Sequence, residues 1–398
     1  MDHIAVVGAG QAGASLVETL RKEGFDGRVT LWGDEAEPPY QRPPLSKAYL
    51  LGEMTRDRLQ LRPASYYEDQ RIELRLNTRI TAIDPAAHVL THAGGQETWD
   101  ALVLATGASP RRLPADIGGD LANVFSVRTL ADIDAMEPAF APNARLLVVG
   151  GGYIGLEAAA VARKRGMAVT LLESAPRLLA RVSSAETAAW FAERHRAEGV
   201  DIRLNAALER LNGETTVTGA TLADGSQIAA DVVVVGIGVT PGTALAQAAG
   251  LECDNGIAVD ALGQTSAAGI WAAGDCCSFP HGAGRMRLES VPNAIEQAQA
   301  VARNILGAAT PYVAKPWFWS DQYDVKLQIA GLNTGFDDVV VRAAEARSHW
   351  YYKGDTLLAV DAMNDPRAYM IGKRLIEAGR SPDKSAVADP DTPIKSLL

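Results

Sequence analysis

Two six-residue stretches carry more chemistry than any others in this sequence. Gly8-Ala9-Gly10-Gln11-Ala12-Gly13 and Gly150-Gly151-Gly152-Tyr153-Ile154-Gly155 both read G-x-G-x-x-G. In such a turn the first glycine permits the tight bend and the second lets a pyrophosphate approach the backbone. The third lets a helix pack closely on the preceding strand, and the helix N-terminus faces the phosphate charge. One copy is a weak signal. Two copies with matching flanks predict two bound dinucleotides; no metal site is expected, because the cysteines form no ligand-spaced cluster.

The flanks do match. Residues 4–7 form a β-branched run, the glycines follow, and a helical pattern with Leu16 and Leu20 ends at Gly24 and Gly27 before a second strand over 29–32. Residues 146–149 repeat the plan, with a helix ending near Gly166 and a strand over 169–172. Each unit reads strand, glycine turn, helix, strand, which is a parallel crossover. The second strands differ at their ends. Val29-Thr30-Leu31-Trp32-Gly33 aligns with Val169-Thr170-Leu171-Leu172-Glu173, so the later unit ends in an acid where ribose hydroxyls would sit. A carboxylate there accepts from both hydroxyls and repels a 2′-phosphate. Ser174-Ala175-Pro176 supplies no arginine, although Arg177 follows, and NADH is favoured over NADPH. In the first unit the matching position is Gly33, with Asp34 and Glu35 just beyond.

Three more strands end in glycine turns: 101–104 into Ala105-Thr106-Gly107, 232–235 into Gly236-Ile237-Gly238, and 269–273 into Gly274-Asp275. A helix is expected over 289–305. From Pro316 short strands and tight turns take over, a helix is expected over 371–378, and 381–398 reads as loosely held. The second crossover interrupts the first. The expected division is a discontinuous first nucleotide-binding domain (1–111 and 240–313), an inserted second one (112–239) and a C-terminal α+β domain (314–398).

Composition narrows the function classes. The 398 residues are 47% hydrophobic and 22% charged, ordinary for a globular chain of two or three domains. There is no run of eighteen apolar residues, so no membrane association is expected, and a cytoplasmic protein is. A net charge of −10 argues against nucleic acid as a partner. The three cysteines, Cys253, Cys276 and Cys277, form no CxxC and no ligand-spaced cluster.

Longer segments carry a resemblance: VVGAGQAG, PYQRPPLSKAYL, LVLATGASPR, VVGGGYIGLE, GIWAAGDC, ESVPNAIEQAQAVA and PWFWSDQY. With these, the chain resembles NADH-dependent ferredoxin reductases of the putidaredoxin reductase type, including the reductases of bacterial aromatic dioxygenases. The resemblance implies an α/β fold, with two doubly wound (Rossmann-like) nucleotide-binding domains of the glutathione-reductase type plus a C-terminal α+β domain. It implies tightly bound FAD in the first and NADH as electron donor in the second. FAD contacts would fall at Ala12, Asp34, Arg42, Lys47, Ile80, Arg128, Asp275 and Val291, beside the turn residues Gly8, Gly10, Gly13, Ala105, Thr106, Gly107 and Gly274. The dinucleotide of the second unit would meet Gly150, Gly152, Tyr153, Ile154, Gly155, Glu173 and Gly238. Lys47 and Glu157 match a pair that the family places near the flavin N5, and Trp319 matches an aromatic over the flavin.

Related enzymes route electrons through a cysteine pair or a single cysteine near the first domain's helix. Here no thiol precedes Cys253, and the segment after Pro43 offers Ser46 and Lys47. Direct transfer to an outside acceptor is what remains. The expected partner is a transiently bound 2Fe–2S ferredoxin that serves an oxygenase, either a haem monooxygenase or a ring-hydroxylating dioxygenase, which places the chain in the ferredoxin–NAD+ reductase class. Rubredoxin, quinone and monodehydroascorbate are alternative acceptors. A redox-sensing flavoprotein of the apoptosis-inducing factor type shares the layout. An acidic ferredoxin would need a local basic patch, with Arg303, Lys315, Lys326, Lys373 and Arg374 as candidates. A monomer or weak dimer is the expected state.

Overall fold

The computed structural model describes residues 1–343 and 346–398 and divides into two compact units. The first holds 1–41, 55–109 and 239–316; the second holds 42–54, 110–238 and 317–398.

In the first unit a five-stranded parallel sheet runs in the order Ile270–Ala272, Ala101–Leu104, His3–Val7, Arg28–Trp32, Ile72–Arg75. Its central strand is buried along its whole length, as a parallel sheet covered on both faces requires. The helix Gln11–Lys22 joins the first two strands. It packs its Leu16 and Leu20 in one core with Ala294, Ala298, Val301 and Ala302 of the helix Val291–Ile305. Those four positions follow the helical period. A small antiparallel sheet, Ile80–Asp84, Val89–His92 and Gly95–Thr98, lies between the third and fourth strands in sequence.

The second unit repeats the plan. Its parallel sheet runs Val200–Leu204, Ala168–Glu173, Arg145–Val149, Val232–Val235, Val124–Phe125, with the helix Tyr153–Lys164 as the crossover. Val7 pairs with Trp32 and Val149 with Leu172, so Gly33 and Glu173 are equivalent positions by register. The same unit contains an antiparallel sheet ordered Trp317–Gln322, Val325–Gly331, Thr356–Met363, Arg347–Lys353, Asp338–Ala343.

Two expectations fail here. The helix expected from 371 begins at Pro366, because Asp365 caps it, accepting from Ala368 N at 2.9 Å, and proline suits the first helical position. The segment 381–398 is not loosely held. The buried Arg342 guanidinium donates to the carbonyls of Val387 (3.0 Å), Asp389 (2.6 Å), Pro390 (3.1 Å) and Thr392 (2.7 Å), and Val387 and Leu397 enter the core. A polar, proline-rich tail is ordered by one arginine from a distant strand.

Candidate functional site: two nucleotide cradles and a buried ion pair

In the first cradle the three glycines do different work. Gly8 has φ +119°, and a Cβ on it would lie 2.1 Å from the Ala105 carbonyl oxygen. A Cβ on Gly13 would lie 2.0 Å from the Gly8 oxygen and 3.1 Å from the Leu31 side chain. A Cβ on Gly10 would meet nothing within 4 Å, directly before the helix N-terminus. Packing therefore demands the outer two, and the middle one leaves open space where a diphosphate fits.

Around it, Thr106 donates from Oγ1 to the Gly242 oxygen at 2.6 Å. Gly274 N donates to Gln297 Oε1 at 2.8 Å, and a Cβ on Gly274 would sit 2.9 Å from that of Ala12. The Gly274-Asp275 turn is thereby held against the start of the first helix, with Gly107 in the turn that follows the neighbouring strand Ala101–Leu104. Val291 is the first residue of its helix, which Ser290 caps by accepting from Asn293 N. Asp34 pairs with Arg79 at 2.9 Å, and Thr78 N donates to the Gly33 oxygen at 2.8 Å, so the segment leading to Ile80 runs beside the end of the second strand.

The second cradle follows the same rules. A Cβ on Gly150 would lie 2.4 Å from the Gly236 oxygen, one on Gly155 2.1 Å from the Gly150 oxygen, and one on Gly152 in open space. Glu173 Oε2 accepts from Gly151 N and Oε1 from Ala175 N, both at 2.8 Å. The first cradle inverts this arrangement. A Cβ on Gly33 would be 2.7 Å from the Ala9 methyl, so the Ala9/Gly33 combination leaves no place for an acid where Gly151/Glu173 has one. Arg177 does not reach toward a ribose phosphate. Its guanidinium donates to the carbonyls of Ser183 (2.8 Å), Ser184 (3.2 Å) and Ala180 (3.0 Å) of its own loop. Exposed Arg181, which sequence reasoning passed over, lies by the Gly238 turn: its Nη2 would be 3.4 Å from a Cβ on Gly238. Tyr153 packs on Phe318 at 4.9 Å between ring centroids, and Ile154 is exposed.

Lys47 and Glu157 meet in the second unit, Nζ to Oε2 at 2.7 Å. Glu157 is on the fifth residue of its helix, buried, and not in the first turn, where an acid would need no further explanation. Ser46 Oγ donates to Oε2 at 3.0 Å and Ser320 Oγ to Oε1 at 2.8 Å. The helical turn Leu45–Tyr49 that carries Ser46 and Lys47 is broken at Lys47 itself (φ −130°, ψ −107°). Arg42 Nη1 donates to the Arg128 oxygen at 2.7 Å, which joins two more expected contacts. Ser46 and Ser320 were not anticipated. The strand alternation of Trp317–Gln322, which sets Ser320 and Gln322 opposite Trp319, carried that signal.

Trp319 is half-buried, 5.6 Å from Trp317, and Lys373 Nζ lies 5.3 Å from the Trp317 ring. Of the candidate basic patch, Arg303 and Lys315 belong to the first unit and Lys326, Lys373 and Arg374 to the second. Arg303 is paired with Glu23 at 2.8 Å. The cysteines are free. Cys276 and Cys277 are fully buried, and burial pushes both thiols up, away from thiolate reactivity.

This geometry defines a protein with twin crossover folds, each carrying a dinucleotide cradle, and in the second unit a half-buried lysine paired with a buried glutamate. Residues 2–298 match the pyridine nucleotide-disulphide oxidoreductase family, and 317–398 match a reductase C-terminal domain. The chain belongs to that oxidoreductase family. It is 44% identical over 402 residues to the 5,5′-dehydrodivanillate O-demethylase ferredoxin reductase subunit of Sphingobium sp. (strain NBRC 103272 / SYK-6), covering 98% of this chain and 97% of the relative. It is 41% identical over 404 residues to a ferredoxin–NAD(P)+ reductase of Sphingomonas sp., covering 99% and 97%. The solved covalent putidaredoxin reductase–putidaredoxin complex contains a chain 40% identical, with a TM-score of 0.96 and coverage of 100% and 98%. The resemblance drawn from sequence thus holds over the whole chain, and FAD and a nicotinamide dinucleotide are its cofactors. No helix among the described residues is long and apolar enough to cross a membrane.

Proposed function

We propose that the protein is an NADH-dependent ferredoxin reductase of an oxygenase system, working in the cytoplasm. The observation that carries this reading is the pair of cradles with opposite ribose ends: Glu173 in one, and Ala9/Gly33 in the other. Two different dinucleotides suit a transfer between them. The names of its full-length relatives, ferredoxin reductases in each case quoted, support the choice of acceptor.

Bound FAD supplies acceptance of hydride from the nicotinamide and release of electrons one at a time, which matches a 2Fe–2S carrier. The chain supplies position and charge. Gly8, Gly10, Gly13 and the Gly274-Asp275 turn form the diphosphate seat of FAD, and Glu173 holds the ribose of NADH. Lys47, held by Glu157, would supply a cation able to stabilise the negative charge of reduced flavin, the role the resemblance gives that pair.

The test is anaerobic. The purified protein should show a visible flavin spectrum that NADH bleaches, and a 2Fe–2S ferredoxin should restore it quickly and saturably. A colourless protein that does not oxidise NADH refutes the flavin reading. Fast reoxidation by rubredoxin or quinone, but not by ferredoxin, refutes the acceptor.

A further inference from the structure

Ser320 reaches Glu157 as the last link of a longer chain. Gln322 Nε2 donates to Ser320 Oγ at 3.1 Å, and Gln322 Oε1 lies 2.8 Å from His195 Nε2. His195 Nδ1 in turn lies 3.1 Å from the Tyr323 hydroxyl. His195 is near the end of the helix Ala185–Ala197 and is fully buried, as are Gln322 and Ser320.

For a neutral ring the chain allows one order of protons. A serine hydroxyl has a single proton, and Ser320 uses it on Glu157, so it must accept from Gln322. Gln322 then presents its amide NH2 to Ser320 and its oxygen to His195. His195 must therefore carry its proton on Nε2, leaving Nδ1 to accept from Tyr323. Every donor points toward Glu157. The other tautomer would turn the Gln322 amide over, offer its oxygen to Ser320, and draw the serine proton away from Glu157. The carboxylate would then keep Lys47 and Ser46 on one oxygen and lose its donor on the other.

We propose that His195 is a positioning residue, whose Nε2–H tautomer keeps Ser320 donating to Glu157 and so holds the Lys47–Glu157 pair in a single arrangement. Burial lowers the His195 pKa to about 4, so the ring stays neutral across the working range, as the chain requires. Links polarised in one direction reinforce each other. The effect on hydride transfer rests on the functional reading above; the tautomer does not.

The experiment combines two measurements on the FAD-loaded protein. Nitrogen NMR of ring-labelled histidine should show His195 as neutral Nε2–H from pH 8 to pH 6. A charged ring or the Nδ1–H form in that range overturns the proposal. In anaerobic stopped flow, His195→Leu should slow NADH bleaching of the flavin by about fivefold, the cost of one disordered hydrogen bond. His195→Gln, which keeps a donor for Gln322, should recover most of the rate. Ser320→Ala should reproduce the Leu effect without touching the histidine. Equal rates for His195→Leu and the parent, or no rescue by Gln, overturn the proposal. A parent protein inert to NADH would fault the functional reading alone, and the NMR result would still decide the tautomer.

Discussion

Acid should unfold this protein earlier than its carboxylates alone require, and replacing His195 should show it. His195 and His349 are both held near pKa 4, against 6.5 in an unfolded chain, with burial as the main cause in each. The folded state refuses protons that the unfolded chain takes up. Stability from this source is intact above pH 6.5 and is lost as pH falls toward 4. A gap of 6.5 to about 4 costs about 3 kcal/mol per histidine at about 1.4 kcal/mol per pH unit. Asp361 opposes them. Buried, with Thr187 and Tyr351 donating to it, it has a pKa raised from 3.8 to about 6, so the folded state binds that proton more tightly. It recovers about 3 kcal/mol as pH falls through 6 toward 3.8. The net loss from these three groups between pH 6.5 and 4 is about 3 to 4 kcal/mol, a large part of the 5–15 kcal/mol typical of a fold. Urea unfolding of the holoprotein, followed by fluorescence at pH 7, 6, 5 and 4, measures it. His195→Gln removes one histidine from the sum, so its loss over the same range should shrink by about 3 kcal/mol. If the variant and the parent lose stability in parallel, His195 is not a buried neutral ring, and the reasoning fails.

Other expectations follow from single contacts. Gly10→Ala should fold with the parent's thermal midpoint but retain much less FAD, because its methyl enters only the open space of the cradle. Gly13→Ala, 2.0 Å from the Gly8 oxygen, should lose stability as well. Glu173→Ser should raise the NADPH/NADH ratio of kcat/KM at least tenfold, about 1.4 kcal/mol, in steady-state assays. Arg342→Leu should cost on the order of 3 kcal/mol, because it strands carbonyls that now bond a charged donor. Limited proteolysis should then cut first within 381–398.

The crossovers were legible because their signals are local. A β-branched run, three glycines at fixed spacing and an apolar helix stripe specify a strand–turn–helix without knowledge of the rest of the chain. Glu173 was legible for the same reason, standing at the end of a strand that aligns with its repeat. Arg342 was not legible, since nothing near it announces that its guanidinium serves four carbonyls more than forty residues away. The helix from Pro366 had a readable start in Asp365-Pro366, which the expectation of a start at 371 passed over. Lys47 and Glu157 came from resemblance. The polar partners that hold them could not, because Ser46, Ser320, Gln322 and His195 are common residue types whose meaning lies in contacts across long sequence separations.

The family carries disulphide in its name, yet this chain has no disulfide among its described residues, and its adjacent cysteines, Cys276 and Cys277, are buried. A disulfide relay needs two thiols that can ionise and approach each other in an accessible place. Cys276 instead donates to the carbonyls of Leu104 and Ala273, Cys277 accepts from Gln297 Nε2, and both are sealed in the first unit's core with raised pKa values. Ser46 and Lys47 occupy the turn after Pro43 and Pro44, and both bond Glu157, with Lys47 also donating to the Pro43 carbonyl at 3.2 Å. An ion pair can stabilise negative charge but cannot store electrons. On the proposed reading, the residues around Glu157 fix a charge in place, and the electrons go to an outside carrier such as the ferredoxins of its relatives.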